Sequence, residues 1–129
     1  MLALCLTFAQ NAWGRDCTTQ EAYDAETATY VNDWNGLYSS FKNYGHCDDG
    51  AIAEGFDDVT VKLLINNWNG LFQNEKWSKD KDFLRFVIRH VGELASVDES
   101  NKIYKNAKNE CPKTAAVFCK RLAAKAHVD

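Results

Sequence analysis

Apolar residues recur along this chain at intervals of three and four, the spacing that lines one face of a helix. Tyr23, Thr27, Tyr30, Trp34, Leu37 and Phe41 make the first such series. Asn32-Asp33 interrupts it, and Asp33 is well placed to cap a second helix that ends near Gly45. Asp48 or Asp49 caps the next one, whose inner stripe is Ile52, Phe56, Val59 and Leu63. Asn66-Asn67 and Asn69-Gly70 weaken its far end before Leu71-Phe72. Lys79-Asp80 leads into a helix with Phe83, Val87, His90 and Leu94 on one side, and Asp98 or Ser100 opens another that carries Ile103 and Ala107. Pro112 suits the first turn of a last helix running through Ala126, with Ala115, Phe118, Cys119, Leu122 and Ala126 inward.

One proline and seven glycines in 129 residues leave little room for the turns of a β sandwich. The pattern predicts an all-α fold, a single-domain bundle of six or seven short amphipathic helices without linker or low-complexity tract. "WNGL" occurs at Trp34 and again at Trp68, at the period of a tetratricopeptide array. The flanks do not repeat, and two copies are too few for a solenoid. Two aromatic anchors at helix junctions are the simpler expectation.

The two ends and the cysteines place the protein in the cell. Leu2 to Ala9 is an apolar run too short to span a bilayer, which takes about twenty residues. With Ala12-Trp13-Gly14 behind it, residues 1–14 read as a secretory signal and 15–129 as the mature helical domain. No basic residue precedes Leu2, so the expectation is either a true start upstream or a misassigned N-terminus. Cys5 does not read as a lipid-attachment site, because Leu4 stands where a small residue is required. The mature chain keeps Cys17, Cys47, Cys111 and Cys119, an even number that in an exported protein implies two disulfides. If the last helix begins at Pro112, eight residues at about 1.5 Å each hold Cys111 and Cys119 about 12 Å apart. A disulfide needs Cα atoms within about 7 Å. Cys111 is therefore expected to reach Cys17 or Cys47, with Cys119 taking the other.

Net charge is only −3, but it is unevenly spread. Residues 1–60 hold two basic residues against ten acids, and residues 61–129 hold thirteen against eight, giving −8 and +5. No compact basic motif with interleaved aromatics marks a nucleic-acid surface.

The chemistry-bearing stretch is His46-Cys47-Asp48-Asp49-Gly50, with Glu54, Asp57 and Asp58 just beyond. Imidazole, thiolate and carboxylate are all metal ligands, yet adjacent side chains rarely converge and no second ligand pair accompanies them; the other histidines are His90 and His127. No metal and no cofactor is predicted. Cys47 ahead of a helix N-terminus, with His46 or His90 as base, has the outline of a nucleophile. Asp48 and Asp49 act against a lowered thiol pKa, and a disulfide removes the thiol altogether. His90, on an apolar stripe, reads as a hydrogen-bonded core histidine. Asp49 and Glu54 are the pair that a carboxylate hydrolase would use. The simpler account has Asp48 and Asp49 capping a helix, Gly50 turning the chain, and Asp48, Asp49, Glu54, Asp57 and Asp58 forming a solvent-facing acidic ridge. Lys81, Arg85 and Arg89, four apart, are its internal counterpart. Turned outward, the ridge would bind a protein with a basic surface.

"HCDDGAIAEG", with "NECP" and "FC" near the C-terminus, resembles a group of small, exported, uncharacterised bacterial proteins over residues 34–122. By architecture only, the exported, disulfide-bearing helical design is similar to periplasmic immunity proteins that neutralise type VI secretion amidase toxins. The signal, the charge asymmetry and the lack of a catalytic constellation lead to the expectation of a non-enzymatic periplasmic protein-binding module, and the resemblance implies an inhibitor of a peptidoglycan-targeting toxin as one form of it. The alternative is a small cell-envelope hydrolase using carboxylates of the Cys47–Glu54 segment. Once the signal is removed, no stable membrane span is expected.

Overall fold

A computed structural model describes residues 15–127; residues 1–14, expected to be a signal and including Cys5, lie outside these. The described residues form seven α-helices and no strand. The helices are α1 (Thr19–Ala28), α2 (Trp34–Tyr44), α3 (Gly50–Asn66), α4 (Glu75–Ser78), α5 (Lys81–Arg89), α6 (Val97–Asn109) and α7 (Ala116–Ala126). Short 3-10 turns at Gly45–Cys47, Asn69–Phe72 and Lys113–Ala115 join them.

Side-chain caps set most of the helix starts. Asp33 accepts from the Gly36 amide, Asp49 from Gly50, and Asp80 from both Asp82 and Phe83. Each satisfies an amide that has no partner within its own helix. Thr18 with Glu21, and Ser96 with Glu99, form reciprocal capping boxes. The cap of α6 is therefore Ser96, not Asp98 or Ser100. Gly50 has φ +53°, a left-handed backbone that favours glycine and lets α3 leave the Cys47 turn sharply.

Phe83, fully buried, is the centre of the core. Its ring meets Tyr38 at 5.1 Å, Phe41 at 5.4 Å and Trp34 at 6.4 Å, mostly edge to face. Phe56, Leu64, Leu71, Ile103 and Leu122 extend the same core through α3, α6 and α7. The two WNGL tryptophans are junction anchors: the Trp34 indole donates to the Asn67 carbonyl at 2.7 Å, and the Trp68 indole to Glu110 at 2.9 Å.

Three further expectations are corrected. Tyr23 and Tyr30 are 74% and 79% exposed; α1 turns Ala25 and Thr29 inward instead. The reason is close approach to α3, where a Cβ on Gly55 would stand 2.5 Å from the Thr29 hydroxyl, so only small groups fit between the helices. Leu94 is 62% exposed, because α5 stops at Arg89 and the chain turns away at His90. The third correction concerns the disulfides, which are Cys17–Cys47 and Cys111–Cys119. Pro112 has ψ 145°, an extended conformation, and α7 begins only at Ala116. The intervening turn folds back, leaving the Cys111 and Cys119 Cα atoms 6.2 Å apart, within disulfide reach.

Candidate functional site

The His46–Gly50 stretch is a knot of hydrogen bonds. The Gly45–Cys47 turn buries Cys47, ties it to Cys17 at the start of α1, and directs His46 and Asp48 toward different partners. His46, its side chain 1% exposed, meets the Glu21 carboxylate at 2.6 Å, and Arg15 reaches the same oxygen at 2.6 Å. Burial pulls the Glu21 pKa upward. The hydrogen bonds from His46 and Thr18, together with the Arg15 charge, outweigh it and hold Glu21 below the ordinary carboxylate range.

His90 stands between two acids. Its Nε2 lies 2.7 Å from Asp48 Oδ2 and its Nδ1 2.6 Å from Asp57 Oδ1. A carboxylate oxygen only accepts, so both contacts are hydrogen bonds when both ring nitrogens carry protons. Arg89 also contacts Asp48 Oδ2. The Asp48 side chain is 6% exposed and that of Asp57 26%. His90 is thus a buried clasp joining the end of α5 to the start and middle of α3. It is the core histidine that its apolar neighbours predict.

These contacts dismantle part of the acidic ridge. Asp48 does not face solvent; it caps no helix and is held inside by His90 and Arg89. Asp57 is half turned in on the same imidazole. Asp49 and Glu54 are exposed, and Asp58 pairs along the helix with Lys62 at 2.8 Å. That hydrogen bond, reinforced by the Asp58 charge, raises the Lys62 pKa despite its own desolvation. Of the expected basic partners, Arg89 meets Asp48, whereas Arg85 pairs with Asp82 on its own helix at 2.8 Å. Glu54, Asp57 and Asp58 converge with Glu99 around Leu94 on a pocket of about 130 Å³. No group of three or more metal-ligating side chains is arranged for an ion among the described residues. Cys47 is oxidised, so its thiol is not available as a nucleophile.

The large concavity is elsewhere. A groove of about 760 Å³ runs between α4–α5 on one side and the Lys113–Phe118 segment on the other. Its floor is apolar, with Phe72, Leu84, Ile88 and Phe118, and exposed Val117 stands at its edge. Its rim is cationic, with Lys79, Lys81 and Arg85 on the first wall and Lys113 and Arg121 on the second; no carboxylate lines it. Lys79 and Arg85 have exposed partners, Glu75 at 2.9 Å and Asp82 at 2.8 Å. No ion-pair partner stands beside Lys81, Lys113 or Arg121 among the described residues. Every residue from Lys113 to Phe118 lies inside the loop closed by Cys111–Cys119. Reading the sequence missed this site. The signal for it was present in the cationic pair Lys81 and Arg85 one helical turn apart, and in the positive second half of the chain. The wall that faces them appears only after the Cys111–Cys119 pairing is known.

Comparison with protein families, with curated proteins and with solved structures finds no match to the chain.

Proposed function

We propose that this chain is a non-enzymatic protein-binding module of the periplasm and that it binds through the groove between α5 and the Cys111–Cys119 loop. One observation carries the reading: a concavity of about 760 Å³ combines an apolar floor with cations on both walls. That volume is in the range of specific binding clefts, about 300–1,000 Å³. The residues that resembled catalytic groups are engaged in the fold. Cys47 is a staple, His90 a clasp, and His46 is held on Glu21. Two disulfides suit an oxidising compartment, and no helix among the described residues is long and apolar enough to cross a membrane. An inhibitor of a peptidoglycan-targeting toxin, the role that the architectural resemblance implies, is one form that such a module takes.

A second binding face has its own support. Asp49 at the cap of α3 and Glu54 and Asp58 on the helix are exposed, and Leu94 lies exposed beside Glu54 and Asp58. These residues offer a basic partner an acidic rim around one apolar contact. The hydrolase alternative has less: the pocket beside Glu54 is about 130 Å³, too small for a sugar ring with its neighbours, and Asp49 does not line it.

The test is site-directed photo-crosslinking in cells exporting the protein. A photoreactive group at Val117, which is 69% exposed on the groove, should yield a discrete protein adduct. The same group at Lys102 on α6 should not. Absence of any Val117-specific adduct would reject the groove as a binding site. Release of soluble fragments from peptidoglycan by the purified protein, abolished by Glu54→Gln, would establish the hydrolase instead.

A further inference from the structure

We infer that the occupant of the groove is an acidic, amphipathic segment of a partner protein, held against a recognition wall that the Cys111–Cys119 disulfide keeps in shape; the inference rests on the binding-module reading above. Charge complementarity is the first argument. Five cations rim the groove without a lining carboxylate, and three of them, Lys81, Lys113 and Arg121, stand without an ion-pair partner among the described residues. Like charges gathered on a concave surface repel one another and lower stability, and an anionic guest relieves that repulsion.

The distribution of charge then narrows the guest. Lys81 and Arg85 are one helical turn apart on α5, about 6 Å, while Lys113 and Arg121 stand on the opposite wall. A single phosphate or carboxylate would engage one wall and leave Leu84, Ile88 and Phe118 uncovered. A guest that satisfies both walls and the floor carries acids on two flanks and apolar residues between them, as one face of an amphipathic helix does. A nucleic acid fits less well, because the floor is mainly aliphatic and offers no exposed aromatic platform for bases. A bilayer fits less well too, since the apolar residues other than Val117 line a hollow, and one exposed valine is too little apolar surface to insert.

The disulfide gives the second wall its shape. Lys113, Thr114, Ala115, Ala116, Val117 and Phe118 all lie between Cys111 and Cys119. This short stretch includes a 3-10 turn without a side-chain cap. Cross-linking its ends removes conformations that a guest would otherwise have to freeze out, and so preorganises the site.

The test uses the intact oxidised protein and a fluorescent synthetic peptide with leucines at helical spacing flanked by glutamates. Anisotropy should report saturable binding that weakens with added salt. A peptide of the same pattern with lysines for glutamates should not bind. Lys113→Glu combined with Arg121→Glu should weaken the acidic peptide by about tenfold or more, and the charge-matched Lys102→Glu, Lys105→Glu pair by no more than about twofold. Cys111→Ser with Cys119→Ser should also weaken it, while circular dichroism shows the helices retained. Equal binding of the lysine peptide, no binding of either, or equal losses in the two double variants would overturn the inference. So would tight binding to phosphatidylglycerol vesicles abolished by the groove variant and matched by no peptide, which would assign the groove to lipid. A Val117 adduct in cells alongside a peptide that fails to bind leaves the module and rejects its acidic occupant; failure of both rejects the module itself.

Discussion

The Cys17–Cys47 end and the Cys111–Cys119 end of this molecule are both disulfide-tied and both rich in charge, but they use charge in opposite ways. At the first, ionisable groups turn inward and bond to one another. Glu21 holds His46, and Asp48 and Asp57 hold His90 from two sides. At the second, cations stand around an apolar hollow with nothing opposite them in the lining. Both disulfides lie close to these features, yet one closes a long span and the other a loop of a few residues. The contrast separates two kinds of chemical residue. A buried carboxylate that has its donors is architecture, whereas an exposed cation beside an apolar hollow and without an acceptor is surface left for something else to complete.

The sharpest way to break this contrast is at His90. Replacing it with alanine leaves the buried Asp48 carboxylate facing Asp57 with no imidazole between them. Losing one partner of a buried, hydrogen-bonded charge network costs about 3–5 kcal/mol, to be read from urea denaturation. A loss under about 1 kcal/mol, the scale of an exposed pair, would put His90 on the same footing as the surface cations. Cys17→Ser with Cys47→Ser comes next. The loop it opens has a sequence separation of 30, against 8 for Cys111–Cys119. Chain-entropy arguments then give a loss of about 3.5 kcal/mol for the first and about 2.5 kcal/mol for the second. Reversal of that order would mean that the short loop has a larger part in stability than in shaping the groove.

A smaller effect is expected at Tyr38, where burial first, and then its hydrogen bond to Asp80, raise the phenol pKa to about 12 from 10.0. The folded state therefore holds this proton more tightly than the unfolded chain. The stabilisation is complete below pH 10 and is lost as pH rises toward 12. Tyr38→Phe should cost about 1 kcal/mol at neutral pH, and its stability difference from the parent should shrink across that alkaline window. A difference that stays flat from pH 8 to pH 12 would reject the assignment. The smallest effect is expected where function is proposed. Lys113→Glu with Arg121→Glu should leave thermal stability within about 0.5 kcal/mol of the parent, since both side chains are exposed. A loss comparable to that of the His90 variant would place them among the groups that hold the fold.

Much of the fold is legible in the residues. The interval of three and four between Trp34, Leu37 and Phe41, or between Phe56, Val59 and Leu63, follows from the geometry of one helix and needs no knowledge of the rest. Asp33, Asp49 and Asp80 announce helix starts for the same reason: a cap bonds within its own first turn. Ser96-Val97-Asp98-Glu99 carried the same kind of local signal, a capping box, and marks the start of α6 two residues ahead of Asp98. Tyr23 and Tyr30 misled because period alone does not say how near the neighbouring helix stands, and α1 meets α3 where only Gly55 and Thr29 fit.

Helix periodicity, caps, an even set of cysteines and the split of charge between the halves were therefore determined by sequence alone, since each depends on residues close together or on a simple count. Which cysteine meets which, whether Asp48 faces water or His90, and what stands opposite Lys81 and Arg85 were decided by the tertiary structure. Each of these joins residues from distant parts of the chain, or turns on how a short segment such as Pro112–Ala115 bends. A bend of one turn moves Cys119 from about 12 Å to 6.2 Å from Cys111 and builds the second wall of the groove. The physical reason is that local rules act within a turn of helix, while a site is made where turns that know nothing of each other come into contact.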